Sequence, residues 1–257
     1  RTVLMAIVAA AFVAGCTTAA GFGASTTVKP VQAQDSYYAS AHAAVAQRAA
    51  ERGAGRAKNV ILFIGDGMGI STITAARIYA GQQKGVDGES FRLAMEKLPY
   101  SAFSKTYTHD SQVADSAPTA TAMTTGVKSY NGTLGVTQSA TIRDCASAKT
   151  NATNSLWEIA EDAGLATGVI STARVTHATP AATYAETTER DWESDADVSA
   201  AGKAAGCVDI ASQFTAWQGA HGNGFDVVLS GGRSGFLPNT MTDPEYANQK
   251  GRRLDGR

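Results

Sequence analysis

The sequence lacks an excess of charge of either sign. Lysine and arginine together number 22 and aspartate and glutamate 23, which gives a formal net charge of -1 and a sequence pI near 6.5. Because there is no basic field, no nucleic-acid partner is expected. Hydrophobic residues make up 44% and charged residues 18% of the 257 residues, a balance typical of a globular protein with one large domain or part of one.

Several motifs of common enzyme classes are also absent. No glycine-rich run ends in Gly-Lys-Ser/Thr, which excludes a P-loop. No Gly-x-Ser-x-Gly segment is present, so ordinary serine-hydrolase chemistry has little support. No internal repeat of about 20 to 50 residues indicates a solenoid or a propeller.

The N-terminal segment resembles an export signal. Arg1 is followed by an apolar stretch over 3–13, and the Val-Ala-Gly-Cys sequence ending at Cys16 resembles a bacterial lipoprotein box. The stretch is too short to span a bilayer comfortably. We therefore expect a signal segment over 1–16, lipidation of Cys16, and a protein in the periplasm or on the cell surface, held to a membrane only through that lipid. A buried hydrophobic helix is the alternative.

The next segment is predicted to connect this signal to the folded domain. Residues 17–34 are small and polar with little to bury, and 36–52 are rich in alanine. We therefore expect a tether and an N-terminal arm helix over 17–57, and the N-terminal portion of a catalytic domain over 58–257.

Two further cysteines, Cys145 and Cys207, remain after Cys16. In an oxidising compartment, a pair of this kind is typical of one disulfide. Two independent buried thiols are the alternative.

From residue 58 onward, strand-like and helix-like segments alternate. Apolar or alternating segments predict strands over 60–64, 101–107, 168–171 and 225–229. Helices are predicted over 71–79, 116–125, 155–164 and 208–217. This order favours an α/β fold with a mostly parallel central sheet and helices on both faces.

Clusters of chemically capable residues follow the predicted strands, where ligands bind in doubly wound sheets. Asp66 stands between two glycines, so its carboxylate can reach a cation with little hindrance, although an Asp-Gly turn is the alternative. Ser116 precedes Pro118 at the start of a predicted helix, where free N–H groups attract an anion. A simple N-cap serine is the alternative there.

The third cluster contains His177, Thr179 and, further along, Arg190. Taken alone, these residues are equally typical of capping, core or solvated surface positions. The Gly-Asp-Gly-Met-Gly segment at 65–69, Asp-Ser-Ala at 115–117 and Ala-Thr-Pro-Ala-Ala at 178–182 together resemble the alkaline phosphatase family. Their order and spacing match that family across about 58–232.

This resemblance implies a metal site with two zinc ions and one magnesium ion. Asp66 would bridge a zinc and the magnesium, and Ser116 would coordinate that zinc. Thr179 would ligate the magnesium, and His177 would lie beside the magnesium or hold one of its waters. Because imidazole suits magnesium less well than a carboxylate does, a weaker and more exchangeable metal is expected there.

The resemblance also implies the reaction. Ser116 would be the nucleophile, and Asp115, Ser116 and Arg190 would bind the substrate phosphate. The protein would be a non-specific phosphomonoesterase at alkaline pH, working through a phosphoserine intermediate on small substrates, and a homodimer when full length.

One departure from the family pattern limits this expectation. Family members take further Asp, Glu and His zinc ligands from their C-terminal half, whereas His221 is the single histidine after Arg190. The sequence is therefore expected to be an N-terminal portion, incomplete at the C-terminus and inactive by itself. A sulfatase or phosphodiesterase of the same superfamily and a non-catalytic phosphate-binding lipoprotein are the alternatives.

Overall fold

The computed structural model of the chain describes residues 43–47, 50 and 57–257. The predicted signal segment with Cys16, and most of the predicted tether and arm, lie outside these residues. The chain divides into two compact units. One consists of residues up to Val60 together with Arg77–Ala102, and the other, the main unit, consists of Ile61–Ala76 and Phe103–Arg257.

The described part of the chain alternates helices with two strands, as expected. The helices are α1 (Ile70–Gln82), α2 (Ser116–Thr125), α3 (Cys145–Thr150), α4 (Leu156–Asp162), α5 (Ala178–Ala181), α6 (Ala200–Ala204) and α7 (Ile210–Trp217). The strands are β1 (Gly168–Arg174) and β2 (Val227–Gly231), and short 3-10 helices span Ala94–Lys97 and Arg233–Phe236. None of the helices in the described residues is long and apolar enough to cross a membrane.

Side-chain caps determine where several helices begin and end. Ser155 and Glu158 form the predicted capping box of α4, each side chain accepting a hydrogen bond from the other residue's backbone N–H. The Asp209 carboxylate accepts a hydrogen bond from Ser212 N at the start of α7. Gly126 ends α2 with a left-handed φ of 76°. These boundaries depend on residues within a few positions and are encoded locally.

The two strands pair in parallel, which confirms the α/β class. Paired residues are Gly168 with Val227, Val169 with Val228, and Ile170 with Leu229. The register is irregular between Ile170 and Arg174. Helix α5 packs against both β1 and α2.

One face of this sheet is open among the described residues. Val169 is buried, whereas its neighbour Ile170 is 71% exposed and the paired Leu229 is 60% exposed. Parallel sheets are normally covered on both faces. Ile170 and Leu229 therefore form an apolar surface that nothing in the described part of the chain covers.

Two predicted strands do not form ladders. The segments 60–64 and 101–107 have no paired neighbour among the described residues, and Phe63 and Phe103 are 90% and 92% exposed. Their apolar patterns are typical of buried strands, but a strand also needs a neighbour to accept and donate its backbone hydrogen bonds.

The core of the main unit lies between β1, α5 and α7. Tyr184, Phe214, Trp217 and Phe225 form an aromatic cluster, in which the Trp217 and Phe225 rings stack with their centroids 4.0 Å apart. The Tyr184 hydroxyl donates to Val175 O at 2.8 Å, so this buried polar atom is satisfied.

A disulfide joins Cys145 at the start of α3 to Cys207, which follows α6. The sulfurs are 2.19 Å apart and the Cα atoms 5.3 Å apart, across a sequence separation of 62. This is the pairing that the sequence analysis expects.

Candidate active site

Asp66 lies in a tight turn that leads into α1. Met68 N donates to Gly65 O at 3.2 Å, and Gly67 has a positive φ of 65°, which an L side chain rarely adopts. The turn therefore presents the Asp66 carboxylate with little hindrance from its neighbours. Asp66 Oδ2 accepts a hydrogen bond from Thr179 Oγ1 at 2.8 Å. The first and third sequence clusters thus meet at this carboxylate.

Ser116 is the first residue of α2, and Asp115 is the N-cap of that helix. Asp115 Oδ1 accepts a hydrogen bond from Ala117 N at 2.5 Å, and Oδ2 accepts one from Gly132 N at 2.6 Å. These bonds fix the start of α2 against the loop that carries Gly132. The Ser116 hydroxyl is therefore held at the positive end of a 10-residue helix, where an anion is stabilised.

His177 lies between β1 and α5, close to Asp66. The backbone N–H of His177 donates to Arg174 O at 2.9 Å, and its side chain does not cap α5. Instead, His177 Nδ1 lies 3.7 Å from Asp66 Oδ2. This nitrogen is buried and has no hydrogen-bond partner in the described part of the chain. A buried, unpartnered nitrogen beside a carboxylate calls for a cation or a water as its partner.

Arg190 connects the second cluster to His177 of the third. Its Nη1 donates to Ser116 Oγ at 2.8 Å and lies 3.4 Å from Asp115 Oδ1. Its Nη2 lies 3.2 Å from His177 Nε2, and its backbone N–H donates to Gly132 O at 2.8 Å. The guanidinium is therefore anchored from several sides next to the serine hydroxyl. A planar, charged donor of this kind suits two oxygens of a phosphate group.

The donor atoms fit a magnesium ion better than a pair of zinc ions. Asp66 Oδ2, Thr179 Oγ1 and the unpartnered Nδ1 of His177 lie close together and offer two hard oxygens and one nitrogen. Zinc sites usually have three or four protein ligands. The described residues contain no group of three His, Cys, Asp or Glu side chains able to hold a metal.

The structure brings the predicted site residues of the folded domain into one connected set. Those residues are Asp66, Asp115, Ser116, His177, Thr179 and Arg190.

Sequence reasoning missed the loop at Asn131 and Gly132. Asn131 Oδ1 accepts a hydrogen bond from Asp115 N at 3.2 Å, and Gly132 holds both Asp115 and Arg190. The Asn-Gly dipeptide is a turn signal, which is the one local sign that this segment could approach the site.

A comparison with known protein families decides the relationship. The sequence model described as alkaline phosphatase matches residues 57–257. The chain belongs to the alkaline phosphatase family. The match contains all six residues of the site.

Curated alkaline phosphatases are similar over most of this chain. The alkaline phosphatase of Gadus morhua is 46% identical over 205 residues, which cover 79% of this chain and 42% of the relative. The tissue-nonspecific isozyme of Homo sapiens is 46% identical over 204 residues, which cover 78% of this chain and 38% of the relative. The chain therefore spans about two fifths of the length of these relatives.

Solved alkaline phosphatases are similar over smaller parts. The cold-active enzyme of Shewanella sp. has a TM-score of 0.42 and 29% identity, covering 60% of this chain and 38% of that one. The enzyme of the Antarctic bacterium TAB5 has a TM-score of 0.29 and 38% identity, covering 34% of this chain and 22% of that one. Membership of the family rests on the sequence comparisons.

Proposed function

We propose that the protein hydrolyses phosphate monoesters, with Ser116 as nucleophile and Arg190 as the phosphate-binding residue. The observation that carries the proposal is the 2.8 Å contact between Arg190 Nη1 and Ser116 Oγ. An arginine in this position would hold a phosphoryl group directly against the attacking oxygen. Membership of the alkaline phosphatase family supports the same chemistry.

Substrate binding would involve the phosphoryl group rather than the alcohol. The Arg190 guanidinium and the N-terminal end of α2 both favour a negatively charged group beside Ser116. Asp115, whose Oδ1 is 3.4 Å from Arg190 Nη1, would keep the guanidinium in place. Since these contacts select phosphate and not its substituent, broad specificity for small phosphomonoesters follows.

The covalent step would occur at Ser116 Oγ. Attack on phosphorus forms the serine O–P bond and breaks the O–P bond to the alcohol. The serine proton is lost to solvent, and the departing alkoxide takes one up. Water then attacks the phosphoserine, which releases inorganic phosphate and restores the hydroxyl, while Arg190 holds the phosphoryl oxygens in both steps.

Metal ions would stabilise the ionised form of the attacking hydroxyl and the charge on the departing oxygen. Asp66, His177 and Thr179 would hold a magnesium ion, and Asp66 and Ser116 would contribute to a zinc pair. We propose that the remaining zinc ligands come from parts of the full-length protein outside 57–257. The chain's span of about two fifths of its relatives supports this division.

The nucleophile can be tested by substitution in the full-length protein supplied with zinc and magnesium. Ser116→Ala should lower kcat for p-nitrophenyl phosphate roughly a thousandfold or more, because covalent catalysis is lost. Labelled phosphate should be trapped on the wild-type protein at acidic pH and not on this variant. Ser90→Ala is the matched control, since Ser90 forms a local turn with Asp87 and touches no site residue. Near-normal turnover by Ser116→Ala would refute the assignment.

The phosphate-binding role can be tested with Arg190→Lys, which keeps the charge and removes the planar fork. The dissociation constant of inorganic phosphate should rise about tenfold or more, because at least one charge-assisted hydrogen bond is lost. Faster turnover of p-nitrophenyl sulfate or of a diester than of the monoester would instead favour the sulfatase or phosphodiesterase alternative.

Export, lipidation of Cys16 and a homodimeric state stay predictions.

A further inference from the structure

The carboxylate of Glu193 holds together two segments of the site without belonging to it. Arg174 donates twice to Glu193, from Nε to Oε2 at 2.7 Å and from Nη2 to Oε1 at 2.6 Å. Thr176 Oγ1 also donates to Oε2, at 2.6 Å. The Glu193 side chain is only 13% exposed, whereas that of Arg174 is 47% exposed, so the carboxylate is mostly buried and the arginine closes it off from the solvent side.

Both ends of this contact are close in sequence to site residues. Arg174 ends β1, and the buried Thr176 directly precedes His177. Glu193 follows Arg190 by three positions, and its backbone is anchored by Ala211 N, which donates to Glu193 O at 3.1 Å. The Glu193 carboxylate therefore ties the segment that carries His177 to the segment that carries Arg190.

The charge of this pair is well defined. Burial alone would raise the pKa of Glu193, but the hydrogen bonds from Arg174 and Thr176 outweigh it, and the pKa lies below its ordinary value. The hydrogen bonds that Arg174 donates to the Glu193 carboxylate raise the pKa of Arg174 in turn. Glu193 and Arg174 therefore form an ionised, bidentate pair, and the buried Thr176 hydroxyl adds a third hydrogen bond. We call these three contacts the Glu193 clamp.

We infer that Glu193 is a positioning residue of the phosphate site, which sets the separation between Arg190 and His177 through its clamp on Arg174 and Thr176. The facing atoms, Arg190 Nη2 and His177 Nε2, are 3.2 Å apart. A shift of either segment would move the guanidinium away from Ser116 Oγ. The inference rests on the proposed function, because it takes Arg190 to be the phosphate-binding residue.

The inference is tested by phosphate binding to the full-length protein. Glu193→Gln should raise the dissociation constant of inorganic phosphate, and the KM of p-nitrophenyl phosphate, on the order of tenfold, since displaced binding groups weaken a site steeply. The kcat should change less than KM. Arg174→Gln should have an effect in the same direction, and the double variant should be no worse than the more severe single one.

The directions of the two changes in phosphate affinity distinguish a positioning role from a purely electrostatic effect of the Glu193 charge. If Glu193 acted only through its negative charge, Glu193→Gln would tighten phosphate binding and Arg174→Gln would weaken it. Opposite signs for the two variants would therefore overturn the inference. Glu96→Gln is the matched control, because Glu96 also pairs with an arginine, Arg77, at 2.7 Å and lies in the other unit. It should leave phosphate binding unchanged.

A second measurement remains valid if the proposed function fails. The side-chain ¹⁵N resonances of Arg190 and His177 report their contact whether or not the protein turns over a substrate. Glu193→Gln, and to a smaller degree Thr176→Val, should shift both sets of resonances. Unchanged resonances in a folded Thr176→Val protein and a folded Glu193→Gln protein would refute the positioning role. Absence of phosphate binding by the wild type would refute the proposed function alone.

Discussion

Two carboxyl groups face each other inside the main unit, and their pH response can be measured. Glu158 in α4 is buried, and its Oε2 accepts a hydrogen bond from Ser155 N at 2.8 Å. Glu186 follows α5, and its backbone N–H donates to Gln213 Oε1 at 2.9 Å. Burial, together with the charge of Glu158 and a hydrogen bond to it, raises the pKa of Glu186 to about 8. Glu186 therefore retains its proton at neutral pH.

This proton makes the stability of the folded chain depend on pH with a definite sign. The ordinary pKa of a glutamate is 4.5, so in the unfolded chain Glu186 ionises well before it does in the folded chain. Between these two values the folded state binds the extra proton, and the free energy of unfolding falls as pH rises. Above about pH 8 both states are ionised, and the loss is complete.

The pKa sets the size of the effect. Raising a carboxyl pKa from 4.5 to about 8 corresponds to a loss on the order of 5 kcal/mol of unfolding free energy across this window. Glu186→Gln removes the titration and keeps a donor for the Glu158 carboxylate. The variant should lose less than half as much stability as the wild type between pH 5 and pH 8.

Urea unfolding followed by tryptophan fluorescence at a series of pH values would measure this difference. His221 lies 4.0 Å from Glu158 and 3.3 Å from Asp162, and it is present in both proteins, so the comparison between the two curves isolates the substitution at Glu186. Glu89→Gln, at an exposed carboxyl, is the matched control and should follow the wild type. A Glu186→Gln protein with the same pH slope as the wild type would show that Glu186 is ionised in the folded state.

Two further predictions concern the scaffold. Cys207→Ser should lower the free energy of unfolding by about 4 kcal/mol, because the disulfide closes a loop with a sequence separation of 62, and reduction of the wild type should reproduce the loss in urea unfolding. Gly135→Ala should cost more than about 3 kcal/mol, since its φ is +62° and the added Cβ would lie 2.3 Å from Ala185 O, whereas Gly85→Ala, at φ +72° with open space, should cost about 1 to 2 kcal/mol in thermal unfolding.

The helix starts could be predicted from sequence because each one depends on near neighbours. Ser155 and Glu158 satisfy each other's backbone across three positions, and Asp115 caps α2 across two. The strands predicted over 168–171 and 225–229 overlap β1 and β2, and these two strands pair with each other. The runs at 60–64 and 101–107 have the same character without a ladder, because pairing depends on distant chain that a local pattern does not specify.

The connections within the site could be predicted only through family resemblance. Asp115 reaches Gly132 across 17 positions and Arg190 across 75. The clamp at Glu193 joins Thr176 across 17 positions and has no recognisable motif. Such contacts depend on how loops close over the sheet, which neither propensity nor spacing determines.

The disulfide divides the candidate site into parts that would respond differently to mechanical load. His177, Thr179 and Arg190 lie within the covalent ring between Cys145 and Cys207, whereas Asp66 and Ser116 lie on the chain that leads into it. A force applied to the two ends of the polypeptide would be transmitted through the disulfide bond. The segment between Cys145 and Cys207 would then carry no tension. Until the disulfide is reduced, the extension on unfolding would be shorter by the contour length of this segment, roughly 210 Å. A protease that cuts inside the ring would likewise leave both pieces joined, so Arg190 would stay covalently connected to Ser116 after the backbone is broken.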